Sequence, residues 1–248
     1  MANEIKFGIT ERGDIAFSNG WIKKAEKCHA VALITKGKLT KEALEYMRDH
    51  KGKVILHATI TGYGGTALEP NVPEWEEQLD YIYHVVSKGY IDRDHVVIRV
   101  DPIIPTTKGL GLAYKVISVA SAEYDFTRFR YSFLDVYGHV KERFTKAGLP
   151  IPPSVKEVDP KLLQAFDGLL KVYESESPGC TFESCAEGNR HQTGCISGKD
   201  FELCGIDPSF ATGKSTQRSA CMCCGSKTEL LDSPHRCGHQ CLYCYWKD

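Results

Sequence analysis

Val96-Val-Ile-Arg-Val-Asp-Pro-Ile103 is apolar at most of its positions and carries charges only at two alternate residues. It is followed by a helix-like stretch, Gly111–Tyr124, and then by a second β-branched and aromatic run, Thr127–Leu134. A strand that is apolar along most of its length is covered on both faces, the condition of a parallel sheet wrapped by crossover helices. The same alternation extends in both directions. Strands are expected at Ile5–Thr10, Val31–Thr35, Val54–Thr61 and Cys180–Ser184, and helices at Asn19–Cys28, Thr40–Lys51, Val72–Lys88, Val136–Ala147 and Pro160–Tyr173. Thr40 reads as a helix cap, and Pro73 with Glu74 suits a first helical turn. Six βα-type units predict an α/β fold, a partial TIM-like barrel of parallel strands short of the eightfold form. The barrel is expected over residues 1–179, with a Cys-rich region over 180–248 completing it and Ser175–Gly179 as the hinge.

Composition narrows the function classes. The chain has 248 residues, 42% hydrophobic and 25% charged, which are globular proportions. Lys plus Arg number 31 against 32 for Asp plus Glu, so no electrostatic argument favours a protein that coats nucleic acid or an anionic membrane. No run of eighteen uncharged apolar residues occurs, so no membrane association is expected. Of 11 cysteines, only Cys28 precedes Cys180. The stretch Met1-Ala-Asn-Glu-Ile-Lys-Phe7 lacks the basic and apolar regions of a secretory signal, so the expected compartment is the cytoplasm, where clustered thiols hold metal more often than they pair. No Ser-His-Asp set or H-E-x-x-H motif supports hydrolysis.

Cys237-Gly-His-Gln-Cys241-Leu-Tyr-Cys244, with the spacing C-x3-C-x2-C, is the sharpest chemical signal. Three thiolates can bind three irons of a 4Fe-4S cluster and leave the fourth iron open, as a catalytic site requires. The alternative is a zinc knot, although zinc favours paired C-x2-C knuckles. The motif resembles that of the radical S-adenosylmethionine enzymes, in which the open iron takes the amino and carboxylate groups of S-adenosyl-L-methionine. An electron from the cluster then cleaves the sulfonium and releases a 5′-deoxyadenosyl radical. That resemblance places Tyr243 beside the adenine. Those enzymes normally carry the three cysteines after the first strand, whereas here the motif comes last. A circularly permuted barrel, with the strand feeding this loop lying beside Ile5–Thr10, reconciles the two orders.

Five segments together resemble a bacterial and phage family of radical S-adenosylmethionine proteins with a C-terminal cluster motif, distantly similar to spore photoproduct lyase. They are Thr10-Glu-Arg-Gly-Asp-Ile-Ala-Phe17, Leu33-Ile-Thr-Lys-Gly37, Thr59-Ile-Thr-Gly-Tyr-Gly64 with Leu68-Glu-Pro-Asn-Val-Pro73, Ile98-Arg-Val-Asp-Pro-Ile103, and Gln217-Arg-Ser-Ala-Cys-Met-Cys223. Two departures stand out: Gly13 replaces the middle residue of an Arg-Thr-Asp pattern shared at Arg12 and Asp14, and Ser226-Lys-Thr-Glu-Leu230 does not reproduce a Ser-x-Asp-Ile-Gly stretch. The resemblance implies a cluster and S-adenosyl-L-methionine as cofactors, a small-molecule or nucleic-acid substrate, and a reductase or a flavodoxin- or ferredoxin-type electron donor.

Candidate residues follow from strand position. Thr59, Thr61, Arg99 and Asp101 lie toward the ends of strands three and four, where parallel barrels gather functional side chains. Arg99 and Asp101 share one face, either as a structural ion pair or as contacts to the carboxylate or ribose of the cofactor. Lys36 and Arg12 carry the same two readings. Gly62-Tyr63-Gly-Gly65 lacks the dinucleotide and P-loop spacings, so its glycines are read as allowing the backbone to approach the cofactor, with Glu69 and Asn71 as polar contacts. Cys185, Cys195, Cys221 and Cys223, matched through the family resemblance, form a set for a second 4Fe-4S cluster or a zinc ion, leaving Cys180, Cys204 and Cys224 spare. Spacing alone does not choose between Cys223 and Cys224. Cys28 is read as a small buried residue, and His29, His57, His84 and His139 as core or surface histidines. His239 has a functional claim through its place in the loop. Arg128, Arg130, Arg143 and Lys146 are candidate phosphate contacts. The rival to an enzyme is a non-catalytic zinc-binding adaptor or nucleic-acid-binding protein.

Overall fold

The computed structural model describes residues 5–187, 191–211, 221–232 and 235–248. The strands are β1 (Phe7–Ile9), β2 (Ala30–Thr35), β3 (Val54–Thr59), β4 (Val96–Ile103), β5 (Arg128–Phe133), β6 (Thr181–Cys185), β7 (Gln192–Thr193) and β8 (Lys227–Glu229). They form one eight-stranded sheet in the order β7-β6-β5-β4-β3-β2-β1-β8. All seven adjacent pairings are parallel. This is the α/β partial barrel that the alternation predicts. β8 pairs with β1, Phe7 opposite Lys227 and Ile9 opposite Glu229, so the last strand in the chain flanks the first. The residues after Cys180 supply strands to both edges of the sheet.

The helices are α1 (Ile22–Ala25), α2 (Lys41–Asp49), α3 (Trp75–Ser87), α4 (Thr107–Ala122), α5 (Gly138–Lys146), α6 (Pro160–Glu176) and α7 (Gly198–Leu203). Side chains alternate across each strand, and the alternation sorts the core into two layers. Val31 and Leu33 of β2 and Ile98 and Val100 of β4 pack outward in the main core, joined by Leu79 and Ile82 of α3 and Val116 and Ile117 of α4. Ala30, Ala32 and Ile34, with Phe7, Ile9, Ile55 and Val97, face the other way. Against them pack Phe201 of α7 and Cys185, Cys195, Cys221, Cys223 and Cys224. The Cys-rich stretch thus plugs the inner face of the sheet, and the helices cover its outer face.

Several boundaries differ from the sequence expectation. β4 coincides with it, and Thr40 caps α2, its side chain accepting from the Ala43 amide at 3.1 Å. Pro73 lies outside α3, whose cap is Glu74. Only Ile22–Ala25 is α-helical within Asn19–Cys28. α4 starts at Thr107 rather than Gly111, because the Thr106 side chain caps it through the Gly109 amide at 3.1 Å. A side chain at Gly109 would meet the Ile104 carbonyl, 2.1 Å from its Cβ, so glycine here serves a close approach and does not mark a loop. No described helix is long and apolar enough to cross a membrane.

Candidate active site

A cavity of about 370 Å³ opens where the strands end, lined by Glu11 and Asp14 after β1, Lys36 after β2, Thr59 of β3, Arg99 and Asp101 of β4, and Ser132 of β5. Carboxyl-terminal strand ends are where parallel barrels place their chemistry, because the connecting loops diverge there. Cys237, Cys241 and Cys244 line this cavity, together with Cys185, Cys195, Cys221, Tyr243 and Tyr245. The C-x3-C-x2-C loop therefore faces the strand ends, and the two cysteine groups share one chamber. Among the described residues no three His, Cys, Asp or Glu side chains converge on a single point as the ligands of one metal ion would.

Two buried polar hubs tie the loop to the sheet. In the first, Asp14 Oδ1 accepts from the Ala16 amide and the Thr35 hydroxyl, both at 2.8 Å. Asp14 Oδ2 accepts from the Lys36 amide at 2.6 Å and meets His239 Nε2 at 2.8 Å. His239 Nδ1 lies 3.1 Å from the Asn71 carbonyl, so both ring nitrogens face acceptors. The Asn71 amide donates in turn to the Gly238 carbonyl at 2.8 Å. In the second hub, Glu69 is 1% exposed and accepts from Lys36, from the Tyr243 hydroxyl and, at 2.8 Å, from Thr61. Lys36 Nζ also donates to the Tyr243 oxygen at 2.9 Å. On the far side, Arg143 donates to the carbonyls of Cys244 and Trp246.

Burial pushes the Cys241 thiol up to about 12, with the nearby Lys36 ammonium opposing the shift. Burial likewise raises Cys237. Cys195 is held well above the ordinary thiol range, first by its hydrogen bond with Cys185 and then by burial. Its Sγ lies 3.1 Å from Glu11 Oε1 and 3.8 Å from Cys223 Sγ. Cys223, not Cys224, is thus the one that meets Cys195. Cys223 is fully buried behind the cavity wall. Lys227 bridges this group, donating to Glu11 at 2.5 Å and reaching Cys223 Sγ at 3.7 Å.

The remaining candidates sort by contact. Arg12 is exposed, while Asp14, two residues on, turns inward. Gly62, at φ +86°, and Gly64 face their own fold: a Cβ would meet Leu112 at 2.6 Å and the Pro73 carbonyl at 1.8 Å, respectively. Tyr63 packs edge-on to Tyr243 with ring centroids 6.3 Å apart. The expected phosphate contacts are corrected. Arg128 donates to Asp200 at 2.5 Å, Arg130 is 1% exposed and held by Glu183 and Asp200, and Arg143 clamps the loop, so only Lys146 of the four is exposed. His57 is buried against Arg130 at 3.3 Å, and His139 meets the Tyr245 carbonyl at 2.9 Å. His29 accepts from the Lys6 amide at 3.2 Å, and His84 is exposed. Cys28 is half-buried, bonded to the Lys24 carbonyl, and Cys180 lies 3.3 Å from the Ser121 hydroxyl. Gln217 to Ala220 of the fifth resemblance segment lies outside the described residues. Asp14, Glu11, Ser132 and Lys227 were not singled out as site residues from sequence. The available signals were that Glu11 and Asp14 follow a strand and that Asp14 matches the family's Arg-Thr-Asp pattern.

Fold and site together define an α/β partial-barrel protein with a cysteine-lined cavity at the carboxyl ends of its strands. A family model described as a domain of unknown function, DUF1848, matches residues 18–246, and the chain belongs to that family. No curated protein and no solved structure matches it.

Proposed function

We propose that the protein is a radical S-adenosylmethionine enzyme built on a circularly permuted partial barrel. The observation that carries this reading is that Cys237, Cys241 and Cys244 line one cavity with polar side chains from the ends of β1 to β5, two buried hubs holding their loop in place. The permutation rests on β8, last in sequence, standing beside β1 and leading into the loop. Cys237, Cys241 and Cys244 would hold a 4Fe-4S cluster, which would supply reductive cleavage of S-adenosyl-L-methionine and so radical hydrogen abstraction.

The donor set fits such a group. Three thiols on one short loop at the cavity can ligate three irons of a cubane and leave the fourth open to a ligand. Thr59 Oγ1 is buried beside the cavity with no hydrogen-bond partner among the described residues, as a ligand-contacting hydroxyl would be before its ligand arrives. Lys36 places a cation against Cys241, where it offsets thiolate charge. Cys185, Cys195, Cys221 and Cys223 are proposed to hold a second cluster, flanked by Lys227, with zinc as the other occupant. The inward turn of Arg128, Arg130 and Arg143 removes three of the four phosphate contacts and favours a small-molecule substrate over a nucleic acid.

The test is anaerobic iron and sulfide analysis with an absorption spectrum, then dithionite and S-adenosyl-L-methionine with assay for 5′-deoxyadenosine. About four irons per chain with cleavage supports one cluster, and about eight supports two. Cys241→Ala should abolish cleavage and retain the fold. Zinc without iron after anaerobic reconstitution would overturn the reading in favour of a zinc-binding adaptor.

A further inference from the structure

Arg99 stands on the cavity floor with its side chain 17% exposed. Its Nη2 is paired with Asp101, which is fixed from the other side by the Ser132 hydroxyl at 2.6 Å. Its Nε and Nη1 have no protein partner among the described residues. A guanidinium this deeply set, with N–H groups unmet, is stabilised when a ligand supplies acceptors. Thr59 is its register neighbour on β3, so the two side chains rise on the same face, and the Thr59 hydroxyl is likewise unmet.

Charge divides the cavity into two halves. Around Lys36 stand Glu69, Cys241 and Asp101. Around Arg99 stand Asp101, Cys195, Cys185 and Tyr245. Glu11, which lines the same cavity, is engaged by Lys227. Arg99 therefore presents its unmet donors on the side of the cavity that Cys185 and Cys195 line, with Tyr245 beside it. We infer that the Arg99 half is the substrate compartment, and that the substrate carries an oxyanion group, carboxylate or phosphate, held by Nε and Nη1 of Arg99 and the hydroxyl of Thr59. The planar, permanently charged guanidinium suits such a group better than a point charge does. The anion site stands on geometry alone; its assignment to substrate rests on the proposed function.

Inorganic phosphate and selenate are the probes, used with the full-length reconstituted chain. Crystals in selenate should show anomalous density within hydrogen-bond reach of Arg99, and phosphate affinity by calorimetry should fall at least tenfold in Arg99→Gln. Because that change removes the guanidinium that offsets the charge of Asp101, the double variant Arg99→Gln/Asp101→Asn repeats the measurement with both charges removed. No anion at Arg99, or phosphate binding unchanged in both variants, overturns the inference. Saturating S-adenosyl-L-methionine separates the two sources of oxyanion. Joint occupancy with selenate supports a substrate compartment, and displacement assigns the site to the cofactor's carboxylate and overturns it. Failure of iron loading or of cleavage, with the anion still bound at Arg99, would sink the radical reading and leave the anion site standing.

Discussion

Asp14→Asn isolates the contact that seats the cysteine loop. The carboxylate accepts three hydrogen bonds, from Ala16 and Thr35 on Oδ1 and from the Lys36 amide on Oδ2, and Oδ2 also meets His239 Nε2. An asparagine can keep its oxygen toward Ala16 and Thr35, but its amide then faces the Lys36 N–H, a donor, and loses the charge that meets His239. Asp14 and His239 side chains are 5% and 3% exposed, so water does not replace what is lost. A buried bond to a charged group contributes about 1.5–3 kcal/mol, and with the backbone bond lost as well the variant should be destabilised by about 3 kcal/mol. Urea unfolding of the metal-free chain measures this, with hydrogen exchange at Gly238 to Gln240 reporting the loop itself. A double-mutant cycle with His239→Ala should return a coupling of about 1.5–3 kcal/mol. Effects additive within about 0.5 kcal/mol would refute the argument, because the loop would then be held without this contact.

Other outcomes follow from the same packing. Gly64→Ala should cost about 3 kcal/mol or more in thermal unfolding, since its Cβ would stand 1.8 Å from the Pro73 carbonyl oxygen, a backbone atom that cannot swing aside. Burial alone would raise the Asp200 carboxyl, but Arg130 and Arg128 hold it far below the ordinary carboxylate range. A carboxyl lowered by folding contributes stability that is complete above its unfolded value, near pH ~4, and is lost as pH falls further. Asp200→Asn should therefore cost about 3–5 kcal/mol at neutral pH, and the wild-type and variant stability curves should converge below pH ~4; parallel curves would count against the pairing. Arg143→Met should release the carbonyls of Cys244 and Trp246 and speed iron loss to a chelator from the loaded chain, with little change in the far-ultraviolet spectrum.

The parallel architecture was legible because its evidence is local. Val96–Ile103 was read without error since a strand covered on both faces must be apolar wherever it is not functional, and Thr40 was read as a cap because the bond it makes spans three residues. β8 was not legible. Lys227-Thr-Glu229 has no apolar residue, and its strand conformation comes from the edge of β1, not from its own side chains. α4 was shortened for a related reason: Gly109 and Gly111 read as loop, while the packing of Gly109 against the Ile104 carbonyl is a tertiary fact.

Charge was the least transparent property. Arg128 and Arg130 looked like free cations beside a strand end, and they are buried because Asp200, seventy-two and seventy positions further on, turns to meet them. The same holds for Asp14, whose partner His239 is 225 positions away. By itself the sequence determined that strands and helices alternate, that ten cysteines gather in the last part of the chain, and that three of them have the spacing of an open-iron cluster loop. Only the tertiary structure decided that this loop meets the strand ends, that both cysteine groups line one cavity, and which charges pair with one another. Periodicity and motif spacing are written along the chain, whereas ion pairing and cavity lining depend on which distant segments the sheet order brings side by side.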